Sequence, residues 1–275
     1  MNRKLIFLDI DGTLTPPGSN VPPESAVRAI KTSQAKGHKV FLCTGRNPAM
    51  LAPLLIYGFD GYVGSSGGYV VCGDEVLFDC PMTERQRVLG MKLLAEGGAY
   101  RTVEAKDGTF GDRGMAELLS RTSGGNSELV RWRKALEESL NIRPMEEYDG
   151  RPIYKIVFLC ESTDQLTAAK AALEDEFEFL VQDMAAANCL NGELINRRFS
   201  KGSGVRLIMQ KLGAVTEDTI GFGDSTNDLA MIETVGTSVC MGGGSPTLAA
   251  RCDMVCPAVE EDGMAAAFAE LGLLS

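Results

Sequence analysis

The sequence predicts an α/β protein, a Rossmann-like parallel sheet core carrying an inserted α+β domain. Three observations predict it. Short apolar runs alternate with helical patterns in the N-terminal part, the same alternation returns after Lys201, and between the two the rhythm changes to longer glycine-containing loops. The expected division is residues 1–83 and 192–275 for a discontinuous core and 84–191 for the insert.

Lys4–Asp11 is an apolar run ending in acids, as expected of a buried parallel strand. Gly12, Pro16, Pro17, Gly18, Pro22 and Pro23 hold the next stretch in a loop. Glu24–Gly37 carries Ala26, Ala29 and Ile30 at helical spacing, with Gly37 as the stop. Lys39–Cys43 is a second strand, Met50–Tyr57 a helix, and Tyr62–Val63 the start of a third strand. Tyr69–Cys72 and Glu75–Phe78 form a hairpin across Gly73–Asp74. In the insert, helices are expected at Glu84–Glu96, Asn126–Ser139 (with Trp132) and Thr163–Glu176. Strands are expected at Ala99–Glu104, Ile153–Cys160, Glu178–Val181 and Leu190–Ile195, and loops around Gly108, Gly111 and Gly114. The core resumes with a helix over Gly202–Leu212 and a strand over Thr219–Gly223. A helix over Asp228–Val235, a strand over Thr237–Met241 and a helix over Pro246–Arg251 follow. Met254–Cys256 is a last strand and Gly263–Leu271 a last helix.

Composition narrows the function classes. The 275 residues are 44% hydrophobic and 23% charged, as in an ordinary globular protein. A formal charge of −10 repels nucleic acid and anionic lipid, so neither is an expected partner. The eight cysteines form no C-x-x-C pair and sit mainly in apolar runs, which reads as reduced buried thiols in a cytoplasmic setting. No run approaches the ~20 apolar residues of a membrane span. The single histidine, His38, is expected at the surface.

Four segments carry chemistry. Asp9 and Asp11 are two apart at the end of a strand, so both face one point, where they share a proton or bind a cation. One can attack phosphorus while the other moves protons; an acidic turn is the plainer reading. Thr44-Gly45-Arg46 follows the second strand, where a hydroxyl and a glycine suit a phosphate-holding loop or a simple capped turn. Lys201 opens a helix, where its charge opposes the dipole unless an anion lies nearby. Gly223-Asp224-Ser225-Thr226-Asn227-Asp228 again ends a strand in an acid, with Asp228 as a possible helix cap.

Together these segments resemble the four motifs of the haloacid dehalogenase superfamily, in the family's order. The resemblance implies Asp9 as nucleophile and Asp11 as general acid/base. It implies Thr44, Gly45, Lys201 and Asn227 at the phosphate, with Arg46 toward the substrate. It further implies Mg2+ held by a carboxylate oxygen of Asp9, the Asp11 carbonyl and Asp224, with Asp228 behind them. The acid at Asp11, where cation-pumping relatives have threonine, fits rapid hydrolysis of a phospho-aspartate. The position of the insert resembles the C2-type cap of Cof-type phosphatases, whose substrates are small phosphorylated metabolites such as sugar phosphates, FMN and pyridoxal phosphate. The chain departs from many relatives at Ser66-Gly67-Gly68, where they have Asn-Gly. The expectation is thus a Mg-dependent phosphatase, monomeric or homodimeric. A sugar phosphomutase and a non-catalytic ligand-binding protein are the alternatives. The insert shows no chemistry-bearing motif.

Overall fold

Four consecutive buried residues, Leu5–Leu8, form strand β1. A strand apolar on both faces needs a layer on each side, and the rest of the first unit supplies them. The computed structural model of the chain describes residues 3–114, 142–182 and 189–275. In chain order the first stretch gives β1, α1 (Glu24–Ala35), β2 (Lys39–Cys43), α2 (Pro48–Leu55), β3 (Gly61–Gly64), β4 (Tyr69–Cys72) and β5 (Glu75–Asp79). The middle stretch gives α3 (Glu84–Glu96), β6 (Tyr100–Ala105), β7 (Gly108–Gly111), β8 (Ile142–Pro144), β9 (Ile153–Cys160), α4 (Thr167–Leu173), β10 (Phe177–Gln182) and β11 (Leu190–Asn196). The last gives α5 (Lys201–Leu212), β12 (Thr219–Gly223), α6 (Leu229–Ile232), β13 (Thr237–Met241), α7 (Pro246–Ala249), β14 (Met254–Cys256) and α8 (Gly263–Glu270).

The described residues divide into two compact units. One comprises residues up to Arg46, Leu51–Asp79 and Phe199–Ser275; the other comprises Asn47–Met50 and Cys80–Arg198. The second unit continues past residue 191 because β11 pairs with β10 along its whole length, up to Phe177 opposite Asn196.

The first unit holds an eight-stranded sheet in the order β14-β13-β12-β1-β2-β3-β4-β5. It is parallel from β14 to β3, and the β4–β5 hairpin closes it antiparallel. One face buries Ile6, Leu8, Val40 and Leu42 with Ile30, Met264 and Phe268 of α1 and α8. The other buries Leu5, Phe7 and Phe41 with Val205, Ile208 and Met231 of α5 and α6. The α/β expectation is borne out. Chain order places the switch in direction at β1, which has β2 on one side and β12 on the other; open α/β sheets place ligands at the carboxyl ends of the strands there.

Several local expectations are corrected. β1 ends at Leu8, not Asp11, because the N–H groups of Thr13, Leu14 and Thr15 all return to the Ile10 carbonyl and close a tight loop. The helix expected over Asp228–Val235 is a 3-10 turn at Thr226–Asp228 followed by the short α6. Gly108 and Gly111 lie in β7, not in a loop, because their backbones pair with Ala105 and Thr102. His38 is buried, its Nδ1 accepting the Lys4 N–H at 3.0 Å. The helix expected at Asn126–Ser139, with Trp132, lies outside the described residues. Among those described, no helix is long and apolar enough to cross a membrane.

The second unit's six strands run in the order β10-β11-β9-β6-β7-β8, antiparallel except for the β7–β8 pair. Its apolar core joins Ile156, Phe158, Val103 and Leu194 to Leu94 of α3 and to Ala169 and Leu173 of α4. Gly192 sits where a Cβ would fall 2.2 Å from the Leu180 carbonyl oxygen and 2.4 Å from the Phe158 ring. Gly192→Ala therefore overpacks a backbone contact that cannot retreat. The expected loss is about 1–3 kcal/mol, read from urea or thermal unfolding of the whole chain; wild-type stability would contradict this packing.

Candidate catalytic and metal site

Register decides which side chains meet. Leu8 lies opposite Phe222 on one side and Leu42 on the other. Three parallel strands therefore run out together, and the residues that follow, Asp9, Thr44 and Asp224, leave the sheet along one edge. The Asp9 N–H still bonds the Phe222 carbonyl at 3.0 Å, which fixes Asp9 against β12 before the chain turns.

Into this edge comes Lys201. Ser200 caps α5, its side chain accepting the Ser203 N–H, so the helix starts with Lys201 already facing inward. The lysine is buried, and its Nζ lies 2.7 Å from Asp9 Oδ1, 2.6 Å from Asp228 Oδ1 and 3.2 Å from Asn227 Oδ1. These three acceptors match the three ammonium protons. Asp228 is held in turn: its Oδ2 accepts the N–H groups of Asp224 and Ser225 at 3.1 and 3.2 Å. Both Asp228 oxygens are thus committed to protein donors.

Carboxylate oxygens of Asp9, Asp224 and Asp228 lie within 4.8 Å of one another, an arrangement that fits a cation. With Asp228 occupied by Lys201 and backbone donors, Asp9 and Asp224 are the carboxylates open to a metal. Hard oxygen donors in small number suit magnesium, which keeps several waters. Thr13 donates its hydroxyl to Asp224 Oδ1 at 3.2 Å, a contact the sequence reading missed. Gly12 adopts φ +83, and a Cβ there would fall 2.6 Å from Asp224 Oδ2, so only glycine admits this carboxylate so close to the loop.

The electrostatics follow from burial. Desolvation, then the charge of Asp228, raises Asp9 to about 7 against the pull of Lys201. Desolvation, then the charge of Asp9, raises Asp224 to about 8. For Lys201 desolvation acts downward, but Asp228 and Asp9 outweigh it and raise its pKa, so it remains an ammonium. Without a cation the two acids hold protons near neutrality.

Asp11 lies a turn away, under different control. Arg46 grips its carboxylate with a two-pronged bond, Nε to Oδ2 at 2.9 Å and Nη2 to Oδ1 at 2.7 Å, and the Gly18 N–H adds a third donor at 3.0 Å. Arg46 Nη1 bonds Asn20 Oδ1 at 2.6 Å, and Nη2 also reaches the Ser19 carbonyl. The arginine side chain is 1% exposed. Its donors are turned to Asp11 and the 19–20 loop, because a buried guanidinium must satisfy them within the protein. Thr44 is buried and its Oγ1 accepts the Arg46 N–H at 3.2 Å, which leaves the hydroxyl proton for another acceptor. Gly45 connects the two. The loop after β3 lies alongside, with Ser65 and Ser66 N–H bonded to the Arg46 and Thr44 carbonyls.

The structure thus gathers Asp9, Lys201, Asn227, Asp228 and Asp224 into one cluster, with Thr44 just after the end of β2 and Asp11 in the loop after β1. A haloacid dehalogenase-like hydrolase family model matches residues 6–268. The chain belongs to this family. Within its reach, a provisionally named phosphatase of Bacillus subtilis, YkrA, is 31% identical over the full length of both chains. Among solved structures, this haloacid dehalogenase-like hydrolase shares its fold with a Geobacillus kaustophilus protein. That match has a TM-score of 0.81 and 24% identity, covering 99% of this chain and 100% of the other. A phosphatase of the superfamily from Bacteroides thetaiotaomicron matches at a TM-score of 0.79 and 20% identity, covering 98% and 96%. The resemblance carried by the four motifs is borne out at the level of family and fold.

The raised acids give a stability signature. Relative to an ordinary carboxylate at 3.8, their bound protons favour the folded state; that contribution is complete below 3.8 and gone once pH has passed about 7 to 8. In chelator, the thermal midpoint should therefore fall as pH rises from 5 to 9. Added divalent cation should restore it, more at pH 8.5 than at pH 6. A midpoint in chelator with the same pH dependence in wild type and Asp9→Asn would contradict this account.

Proposed function

We propose that this hydrolase is a magnesium-dependent phosphatase of small phosphorylated metabolites, the sugar phosphate, FMN or pyridoxal phosphate class. It acts through a phosphoryl group carried on Asp9. The observation that carries the reading is the buried ammonium of Lys201 between Asp9 and Asp228, with Asp224 beside them.

A carboxylate has to approach an anionic phosphate, and the local charge has to permit it. Lys201 offsets part of the negative charge of Asp9 and Asp228. Magnesium, held by Asp9 and Asp224 with the Asp11 carbonyl, would supply further positive charge at the phosphoryl oxygens. An oxygen of Asp9 attacks phosphorus; the P–O bond to the alcohol breaks and Asp11, in its acid form, protonates the departing oxygen. Thr44, Gly45 and Asn227 would donate to the equatorial oxygens. In the second half, Asp11 takes a proton from water, the water oxygen bonds to phosphorus, and the bond to Asp9 breaks to give phosphate and the original carboxylate. Arg46 orients Asp11 through both its oxygens for each transfer.

The test is phosphate release from p-nitrophenyl phosphate and from a metabolite panel, with magnesium and with chelator, and without any bisphosphate activator. Activity should need magnesium. Asp9→Asn should stop turnover in protein that remains folded by circular dichroism, and Asp11→Ala should lower turnover by about 10²–10⁴-fold. Wild-type turnover by Asp9→Asn would remove the mechanism. Arg46→Lys keeps the charge but loses the fork, so kcat should fall more than KM changes.

A further inference from the structure

The loop that carries Asp11 runs straight into Pro16-Pro17-Gly18-Ser19-Asn20. Proline suits the first corner of a tight turn, and Gly18 adopts φ +76 at the second, a conformation that glycine takes without strain. The Ser19 N–H returns to the Pro16 carbonyl at 2.9 Å and closes the turn. Thr15 is fully buried, and its Oγ1 lies 3.1 Å from the Ser19 carbonyl and 3.3 Å from the Ile10 carbonyl. That hydroxyl ties the turn to the loop of Asp11.

Three groups of this turn face the Arg46–Asp11 pair. The Gly18 N–H donates to Asp11 Oδ1, the Ser19 carbonyl accepts from Arg46 Nη2 at 3.1 Å, and Asn20 Oδ1 accepts from Arg46 Nη1 at 2.6 Å. A guanidinium carries its donors in one rigid plane. Here the Nε–Nη2 edge of that plane takes Asp11, and Nη1, outside that edge, takes Asn20. Two bonds along one edge leave the guanidinium and the carboxylate able to swing as a unit. A bond at Nη1 pins the plane to the turn.

We infer that Asn20 is a positioning residue for proton transfer by Asp11, acting through Arg46. The inference rests on the phosphatase reading above. As the P–O bond to the alcohol breaks, a proton passes from Asp11 to the departing oxygen, and that transfer needs the two oxygens within about 2.6–3.2 Å. A swing of the Arg46–Asp11 unit lengthens the approach. Attack on phosphorus is spared, because Asp9 is held by Lys201, which bonds Asp228 in turn. The cost of losing Asn20 therefore depends on the leaving group. A phenolate is basic and needs the proton as it departs. A p-nitrophenolate spreads its charge onto the nitro group and departs almost without it.

The experiment measures kcat/KM of the full-length protein with magnesium for phenyl phosphate and p-nitrophenyl phosphate. This constant reads the steps up to departure of the phenol. Asn20→Ala should lower it about tenfold for phenyl phosphate, a part of what positioned proton transfer supplies, and by about twofold or less for p-nitrophenyl phosphate. Asn20→Asp keeps an oxygen acceptor for Nη1 and should hold the ratio of the two esters within about threefold of wild type. The inference is overturned if Asn20→Ala lowers both esters by one common factor or lowers neither. It is overturned as well if Asn20→Asp shifts the ratio as far as Asn20→Ala. Asn20→Ser, too short to reach Nη1, takes the place of the alanine variant if that one melts early. If wild type releases no phosphate from either ester, the phosphatase reading fails instead. The hold on Arg46 is then read from solvent exchange of its Nε–H by 15N NMR, with the signal assigned by its loss in Arg46→Lys. Faster exchange in Asn20→Ala supports the positioning, and equal exchange overturns it.

Discussion

One ammonium group organises the first unit's site. Lys201 sits at 3% exposure between Asp9 and Asp228, which approach it to 2.7 and 2.6 Å. Removing one partner from such a buried pair costs about 3–5 kcal/mol, because the remaining charge has no water to fall back on. The chain therefore has to deliver all three residues together: Asp9 from β1, Asp228 from the turn after β12 and Lys201 from the first position of α5. Each delivery depends on something local. The in-register pairing of β1 with β12 sets Asp9, the backbone N–H groups of Asp224 and Ser225 set Asp228, and the Ser200 cap sets Lys201.

Charge balance then explains the division of labour among the four aspartates. Asp228 has both oxygens taken and is an anchor. Asp9 and Asp224 retain capacity, and burial raises both. Asp11 is withdrawn from the cluster by Arg46 and Gly18, in a separate arrangement that fixes its plane. Two cations, Lys201 at Asp9 and Arg46 at Asp11, thus give these carboxylates different surroundings. The loop closing on the Ile10 carbonyl makes this separation possible, since an extended strand through Asp11 would point both acids the same way.

Much of this was legible in the sequence, for identifiable reasons. Buried parallel strands are continuous apolar runs, so β1, β2, β12 and β13 stood out, and their ends carried the acids, Thr44 and Asp224. Lys201 was legible because a cation at a helix start is electrostatically misplaced without an anion. The turn at Ile10 was not legible, because it depends on which carbonyl collects three N–H groups. Nor was the Arg46–Asp11 grip, made between residues 35 positions apart. Thr13 and Gly12 escaped for the same reason: their role is to approach a carboxylate from β12 that only the folded sheet brings near. The strands β7 and β8 are short, and β7 begins and ends in glycine, so they gave no alternating pattern to read.

The second unit is the instructive case, since it carries no motif and yet is not chemically blank. A signal was present: Lys155 interrupts the run Ile153–Cys160, every residue of which is buried. A lysine inside a fully buried strand needs an anionic partner on the same face. Strand alternation alone could not say which, because its partners Glu104 and Glu193 lie on two other strands. A motif search finds residues close in sequence that act at one point, whereas a sheet face is assembled from residues at matching registers on separate strands.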